Sequence, residues 1–230
     1  MIYKKIILDN NRKVWFTSDS HYGHKNICKG VTSWDLKDHG GDMSVRDFNT
    51  IEEMNNTLVE GINRHVKEDD YLIHLGDWSF GGIDNIWEFR KRINCKNIIE
   101  ILGNHDHHIV NNKELINWSN ESDRKQYAQQ CFESVHGYLE LVVSSPSKGK
   151  RTYNLMHFPL SVWNKAHHNR IMLHWHTHGS FQHEGRSLDV GVDQAFKLFG
   201  EYKPFSQEDI DNFMKNRTFK QFSHHNPKTN

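Results

Sequence analysis

The stretch KNIIEILGNHD, residues 96–106, is an apolar run that stops at Gly103, Asn104, His105 and Asp106. It reads as a short buried strand with a polar carboxyl end. Just upstream, IDNIWEFRKRI (83–93) returns to helical period, and DYLIHLGD (70–77) is a second strand, ending at Asp77. Further back, NTIEEMNNTLVEGINRHV (49–66) spaces Ile51, Met54, Leu58 and Ile62 as a helix does, and KVWFTSD (13–19) is a strand ending in a polar turn. Strand and helix alternate, which predicts an α/β layered fold.

Downstream the texture becomes more purely β. CFESVHGYLELVV (131–143), the turn SSPSKGK and RTYNLMHFP (151–159) read as a β-hairpin, and RIMLHWHTHG (170–179) and RSLDVGVD (186–193) as two more strands. PFSQEDIDNFMKN (204–216) closes as a helix, with Ser206 and Asp209 at capping-box spacing. Residues 30–50 read as an irregular surface loop, and 219–230 as a polar, flexible tail. No repeat or linker interrupts the chain, so one domain is expected over residues 1–218.

Composition limits the function classes. Lys plus Arg equals Asp plus Glu at 29 each in 230 residues. Zero net charge argues against tight non-specific binding to duplex nucleic acid, which rests on phosphate neutralisation, although a local basic patch would escape this count. Cys28, Cys95 and Cys131 form neither a CxxC pair nor an even framework, which argues against a zinc finger and makes a reducing cytoplasm the simpler location (that of the host, if the gene is a phage's). No run approaches the roughly 20 apolar residues that span a bilayer, and MIYKKIILDNN lacks a signal peptide's apolar length, so no membrane association is expected. The unusual count is 18 histidines.

Those histidines collect at strand ends. Asp19 and His21 follow the first strand, Asp77 the second, and Asn104, His105 and Asp106 the third. His157 follows the hairpin strand; His176 and His178 follow the next. Singly, each has an ordinary reading as a turn or a hydrogen-bonded core residue. Five strands in succession ending in ligand-type residues do not, because loops at strand carboxyl ends are where α/β sheets build sites. In HWHTHG, alternation would put His174, His176 and His178 on one face of an extended chain, with His174 one step deeper, in a core or supporting role.

In order and spacing, SDSH (18–21), LGD (75–77), GNHD (103–106), MHFP (156–159) and HWHTHG (174–179) resemble the signature blocks of the calcineurin-like metallophosphoesterases. FTSDSHYGHKNI, YLIHLGDWSFGG, LMHFPLSVW and LDVGVD…YKPFSQEDI look like the small single-domain phage and bacterial members, and the likeness spans roughly residues 14–212. The resemblance implies a β-sandwich flanked by helices (αββα layers) with a dinuclear metal site at the strand carboxyl ends. Asp19, His21, Asp77 and His178 would hold one ion, and Asp77, Asn104, His157 and His176 the other. A mixed N/O donor set without thiolate suits Mn2+ first, with Fe, Zn, Co or Ni as alternatives.

The implied activity is hydrolysis of a phosphate ester by a metal-bridging hydroxide. His105 would protonate the leaving oxygen and Asp106 would orient His105. His24 and Asn26 would line the cleft beside the substrate. A phosphodiester is favoured, with a nucleotide or cyclic nucleotide as the candidate partner. A phosphomonoesterase or a catalytically silent scaffold of the same fold is the alternative. The metallo-β-lactamase pattern fails, since Ser180 and Phe181 follow the histidine pair. His167, His168, Arg170 and Arg186 have the charge to meet phosphate but read as solvated surface. Trp175 stands where the family usually has Gly; it is expected to keep an ordinary extended conformation and to pack outward, away from His176.

Overall fold

A computed structural model describes residues 3–7, 12–39, 41–110, 128–146, 149–180 and 185–218. Its strands are β1 (Tyr3–Ile7), β2 (Val14–Thr17), β3 (Tyr71–His74), β4 (Asn97–Ile101), β5 (Ser134–His136), β6 (Leu139–Ser145), β7 (Gly149–Leu155), β8 (Ile171–His174), β9 (Ser187–Asp189) and β10 (Phe205–Ser206). They form two five-stranded sheets, ordered β1-β6-β7-β8-β9 and β10-β2-β3-β4-β5. β2, β3, β4 and β5 run parallel, as do β7, β8 and β9, while β6 and β7 pair antiparallel.

The sheets bury their facing sides against each other. Phe16, Ile73 and Ile99 of one sheet share a cluster with Leu141, Tyr153 and Leu173 of the other. Helices α1 (Ile51–His65) and α2 (Ile83–Arg92) cover the outer side of the second sheet, where Val59, Ile62, Ile86 and Phe89 meet Trp15, Leu72 and Ile98. Strands buried on both sides are apolar at successive positions, which is why they read as continuous runs rather than alternating ones. Outside the first sheet, Trp163, Ala166 and Leu160 pack on Met172.

Three shorter α-helices follow among the described residues: α3 (His107–Val110), α4 (Val192–Phe199) and α5 (Gln207–Met214). The capping box is present: Ser206 accepts from the Asp209 amide while the Asp209 carboxylate accepts from the Ser206 amide. α4 and α5 add Ala195, Ile210 and Met214 to the inter-sheet core.

The strands depart from the sequence reading in three places. CFESVHGYLELVV is not one hairpin arm: it splits at Gly137 into β5, which joins the second sheet, and β6, which pairs with β7 in the first. The N-terminal Tyr3–Ile7, read only for its lack of a signal, is an edge strand parallel to β6. And β8 ends at His174, before the two histidines expected to extend it. The expected tail, residues 219–230, lies outside the described residues.

Candidate metal centre

Five strand ends converge as expected, but the residues beyond them are not extended. Among the described residues, seven that are not glycine have positive φ, and five of them are Asp19 (50°), His21 (45°), Asp77 (54°), His176 (80°) and His178 (47°). The left-handed region is unfavourable for residues with a Cβ, and such outliers cluster where the surroundings enforce them. Here the enforcement is partly backbone: the Asp19 amide donates to the Gly76 carbonyl and the His21 amide to that of Asp77, both at 2.9 Å. His174, His176 and His178 therefore do not share one face of a strand. The last two leave a turn, while His174 ends β8 in the core.

One set of donors forms around Asp19. Its Oδ1 faces His21 Nε2 at 3.1 Å, both atoms are buried, and neither has a hydrogen-bond partner among the described residues. Burial first, then the nearby Asp77 carboxylate, raises the Asp19 pKa well above the usual range. Burial, reinforced by Arg46 and neighbouring imidazoles, lowers that of His21 well below it, so His21 is neutral and offers a lone pair. A donor atom of His178 comes within 4.8 Å of both.

A second set forms around His157. Its Nδ1 lies 2.9 Å from the Leu75 carbonyl, which only accepts, so Nδ1 carries the proton and Nε2 the lone pair. That Nε2 sits 3.0 Å from Asn104 Oδ1 and 3.3 Å from His176 Nδ1, which itself lies 3.0 Å from Asn104 Oδ1. Three acceptor-type atoms so placed have at most one proton among them, an arrangement that suits a shared cation. Asp77 stands between the sets, with Oδ2 at 3.5 Å from His21 Nε2 and 3.7 Å from His157 Nε2. Close approach here needs glycine: a Cβ on Gly103 would sit 2.2 Å from Asp77 Oδ1.

A supporting layer holds these donors, and much of it went unread in the sequence. His178 Nδ1 meets the Asp193 carboxylate at 3.0 Å, and Arg46 clasps that carboxylate through Nε at 2.8 Å and a terminal nitrogen at 3.1 Å. Arg46 also donates to the carbonyls of Asp19 and Ser20. Burial would push Asp193 up, but Arg46 and the His178 hydrogen bond hold it far below the usual carboxylate range. So Arg46, from the stretch read as a surface loop, is a buried strut joining both ends of the donor set. Asp189 accepts from the amides of Gly179 and Gly191, pinning the histidine turn to the start of α4.

Beneath the centre, His74 and Glu100 occupy the same register on β3 and β4. His74 Nδ1 meets Glu100 Oε1 at 3.1 Å and Nε2 meets Ser20 Oγ at 3.0 Å. Burial lowers His74 to about 3 and raises Glu100 well above its usual value, so burial works against an ion pair between them. The sequence carried a signal for it: each polar residue interrupts an apolar strand, one strand apart.

Other expectations change. Asp106 does not orient His105: its carboxylate accepts from the amides of Asp77, Gly103 and Trp78 at 2.7, 2.7 and 3.0 Å, clamping the loops that carry Asp77 and Asn104. Trp175 avoids positive φ as expected, yet it does not pack outward. It is wholly buried, lying on Gly191, where a Cβ would come within 1.7 Å of its ring, and edge-on to His178. His105 lies edge-on to His21 and Phe80, and its amide donates to Asp77 Oδ1. His24 stacks on Phe80 with ring centres 4.0 Å apart. The Asn26 side-chain oxygen accepts from Ser33. His21, His24, Asn26, His105 and His178 all face one cleft of about 780 Å³.

A sandwich of two sheets with carboxylate, amide and imidazole donors gathered at its strand ends defines a scaffold suited to holding metal ions. The chain belongs to the calcineurin-like phosphoesterase family, whose model matches residues 12–229. It is 26% identical over 203 residues to the Gene 66 protein of Mycobacterium phage L5, covering 80% of this chain and 88% of that protein. An uncharacterised protein of Methanocaldococcus jannaschii is 33% identical over 97 residues, 41% of this chain; the chain spans only 47% of that relative. A crystal structure of a protein of unknown function from Aquifex aeolicus shares the fold, with a TM-score of 0.54 and 19% identity over 88% of this chain and all of that one. The family implies a phosphate-ester substrate and divalent metal. No helix among the described residues is long and apolar enough to cross a membrane.

Proposed function

We infer that the chain hydrolyses a phosphodiester with two divalent cations bridged by Asp77. The observation that carries this is the place of Asp77, within 4 Å of His21 on one side and His157 on the other, beside Asp19 Oδ1 and His21 Nε2, which have no hydrogen-bond partner among the described residues. Asp19, His21, Asp77 and His178 would hold one ion, and Asp77, Asn104, His157 and His176 the other. When bound, such a pair supplies Lewis acidity and lowers the pKa of a coordinated water. With Mn2+ as the first candidate, the donor set has no thiolate to force zinc.

The remaining work falls to the chain's own residues. His105, beside ligand Asn104 and open to the cleft, would give a proton to the leaving oxygen. Arg46 and Asp193 hold the His178 ring, and Asp106 holds the two ligand loops. The diester preference rests on the cleft walls. Among the described residues they carry His24, Trp34, His39 and Phe80 but one permanent cation, Lys197, which already donates to the His178 and Gly179 carbonyls. A singly charged diester with a flat substituent, such as a nucleotide, suits those walls better than a dianionic monoester. The test is Mn2+-dependent hydrolysis of bis(p-nitrophenyl) phosphate beside p-nitrophenyl phosphate. Diester turnover several-fold above monoester turnover is the expected result, and monoester turnover alone would reverse the preference.

A further inference from the structure

The parallel strands β7, β8 and β9 reach the metal-site end of the molecule with their carboxyl ends, and their amino ends open on something else. There Arg151 and Thr152 of β7, Arg170 just before β8 and Arg186 just before β9 line a second cavity of about 750 Å³, closed on one side by Met214 and Lys215 at the end of α5. At about 3.3 Å per residue, Arg151 lies roughly 13 Å of strand from Leu155, and His157 is further still. The two cavities thus occupy opposite ends of the same strands.

The chain is neutral overall, but this cavity is not. Among the described residues, Lys150, Arg151, Lys165, Arg170, Arg186 and Lys215 face it with one lining carboxylate, Asp211, while Glu140 behind Arg170 also feels the Lys165 charge. Three of these cations are fixed in place. Arg151 pairs with Asp211 at 3.1 Å, Arg170 with Glu140, and Arg186 donates to the carbonyls of Asn169, Met214 and Arg217. The lysines are different: among the described residues, no carboxylate forms an ion pair with Lys150, Lys165 or Lys215. Like charges gathered in a concavity repel one another and focus a positive potential, so the arrangement stabilises the fold only poorly unless an anion is present.

Backbone strain marks the same place. Beyond the five metal-centre residues, the non-glycine residues with positive φ are Lys165 (56°) and Asn169 (61°), and both line this cavity. They bracket the 3-10 turn Ala166–His168, whose Ala166 is anchored in the Trp163–Met172 cluster. With this left-handed backbone, Lys165 lines the cavity together with Arg170. As at the metal centre, strain coincides with a convergence of charged side chains.

We propose that this cavity is a second, non-catalytic site for a small anion carrying two or more adjacent phosphate groups, such as a linear polyphosphate or a nucleoside triphosphate. A lone phosphate is too small to meet cations contributed from three strand ends and a helix end, whereas a phosphate chain can meet several at once. The arginines would fix the site and the lysines would close on the ligand.

The probe is tripolyphosphate, titrated calorimetrically into the full chain in a chelating buffer. Binding at least tenfold tighter than that of inorganic phosphate is expected, weakening steeply with salt. The triple variant Lys150→Gln, Lys165→Gln, Lys215→Gln should lose about fivefold per charge removed. These side chains are at the surface, so an unchanged melting temperature without ligand serves as the folding control. Asp77→Asn should bind as the parent does. A nucleoside triphosphate matching tripolyphosphate would show that the phosphates alone are read; one binding tighter would add a contact to the base. The proposal is overturned if the triple variant binds undiminished, if Asp77→Asn abolishes binding, or if phosphate binds equally well. It also fails if a short oligothymidylate binds tighter than tripolyphosphate, which would make the surface a nucleic-acid site.

Discussion

Arg46 shows how one residue can carry a site without touching substrate. Its guanidinium is buried, satisfied by Asp193 and by the carbonyls of Asp19 and Ser20. Truncation to Ala leaves the Asp193 charge buried without its partner, which typically costs 3–5 kcal/mol, so Arg46→Ala is expected to destabilise by about that much in denaturant unfolding. Loss below about 1 kcal/mol would mean that the pair does not hold the loop. Asp189 makes a different prediction. Burial raises its pKa to about 7, against some help from the Gly191 and Gly179 amides. A carboxyl raised in the folded state binds protons that the unfolded chain has released, so stability falls as pH rises from about 4 to about 7. In metal-free protein, Asp189→Asn should flatten that part of the melting-temperature profile. An unchanged slope would contradict the assignment.

At the scale of elements, the strands were legible because burial on both sides leaves apolar runs that end sharply at polar residues, as Asp77 and Asn104 do. The capping box at Ser206 was legible for a similar reason: its signal is local. What escaped was non-local. Arg46 lies in a polar stretch and finds Asp193 across 147 residues, a pairing that neither segment announces. The period-2 reading of HWHTHG failed because the regular strand ends at His174 and His176 and His178 adopt left-handed backbone, which the alternation of residue types does not reveal. It also misplaced Trp175, whose ring fills space that Gly191 vacates. That pair yields a coupled prediction. Trp175→Gly, although it restores the residue usual in the family, should destabilise by about 3–5 kcal/mol, as buried Trp truncations do. Gly191→Ala should be severe in the parent and mild in the Trp175→Gly background. Additive effects in the double-mutant cycle would sink this account of how the Trp is accommodated.

For the whole molecule, one architecture presents two ends with opposite characters. Where the strands finish, carboxylates, imidazoles and an amide oxygen converge on space that suits dications. Where β7, β8 and β9 begin, cations converge on space that suits anions. Zero net charge conceals both. The most direct test of the central claim, that Asp77 joins two ions, is to titrate metal-free protein with Mn2+ and follow it by electron paramagnetic resonance with total metal analysis. Two Mn2+ per chain, giving the signal of a spin-coupled pair that Asp77→Asn abolishes, is the result predicted here. A single uncoupled Mn2+ per chain, or a coupled pair that survives Asp77→Asn, would contradict it.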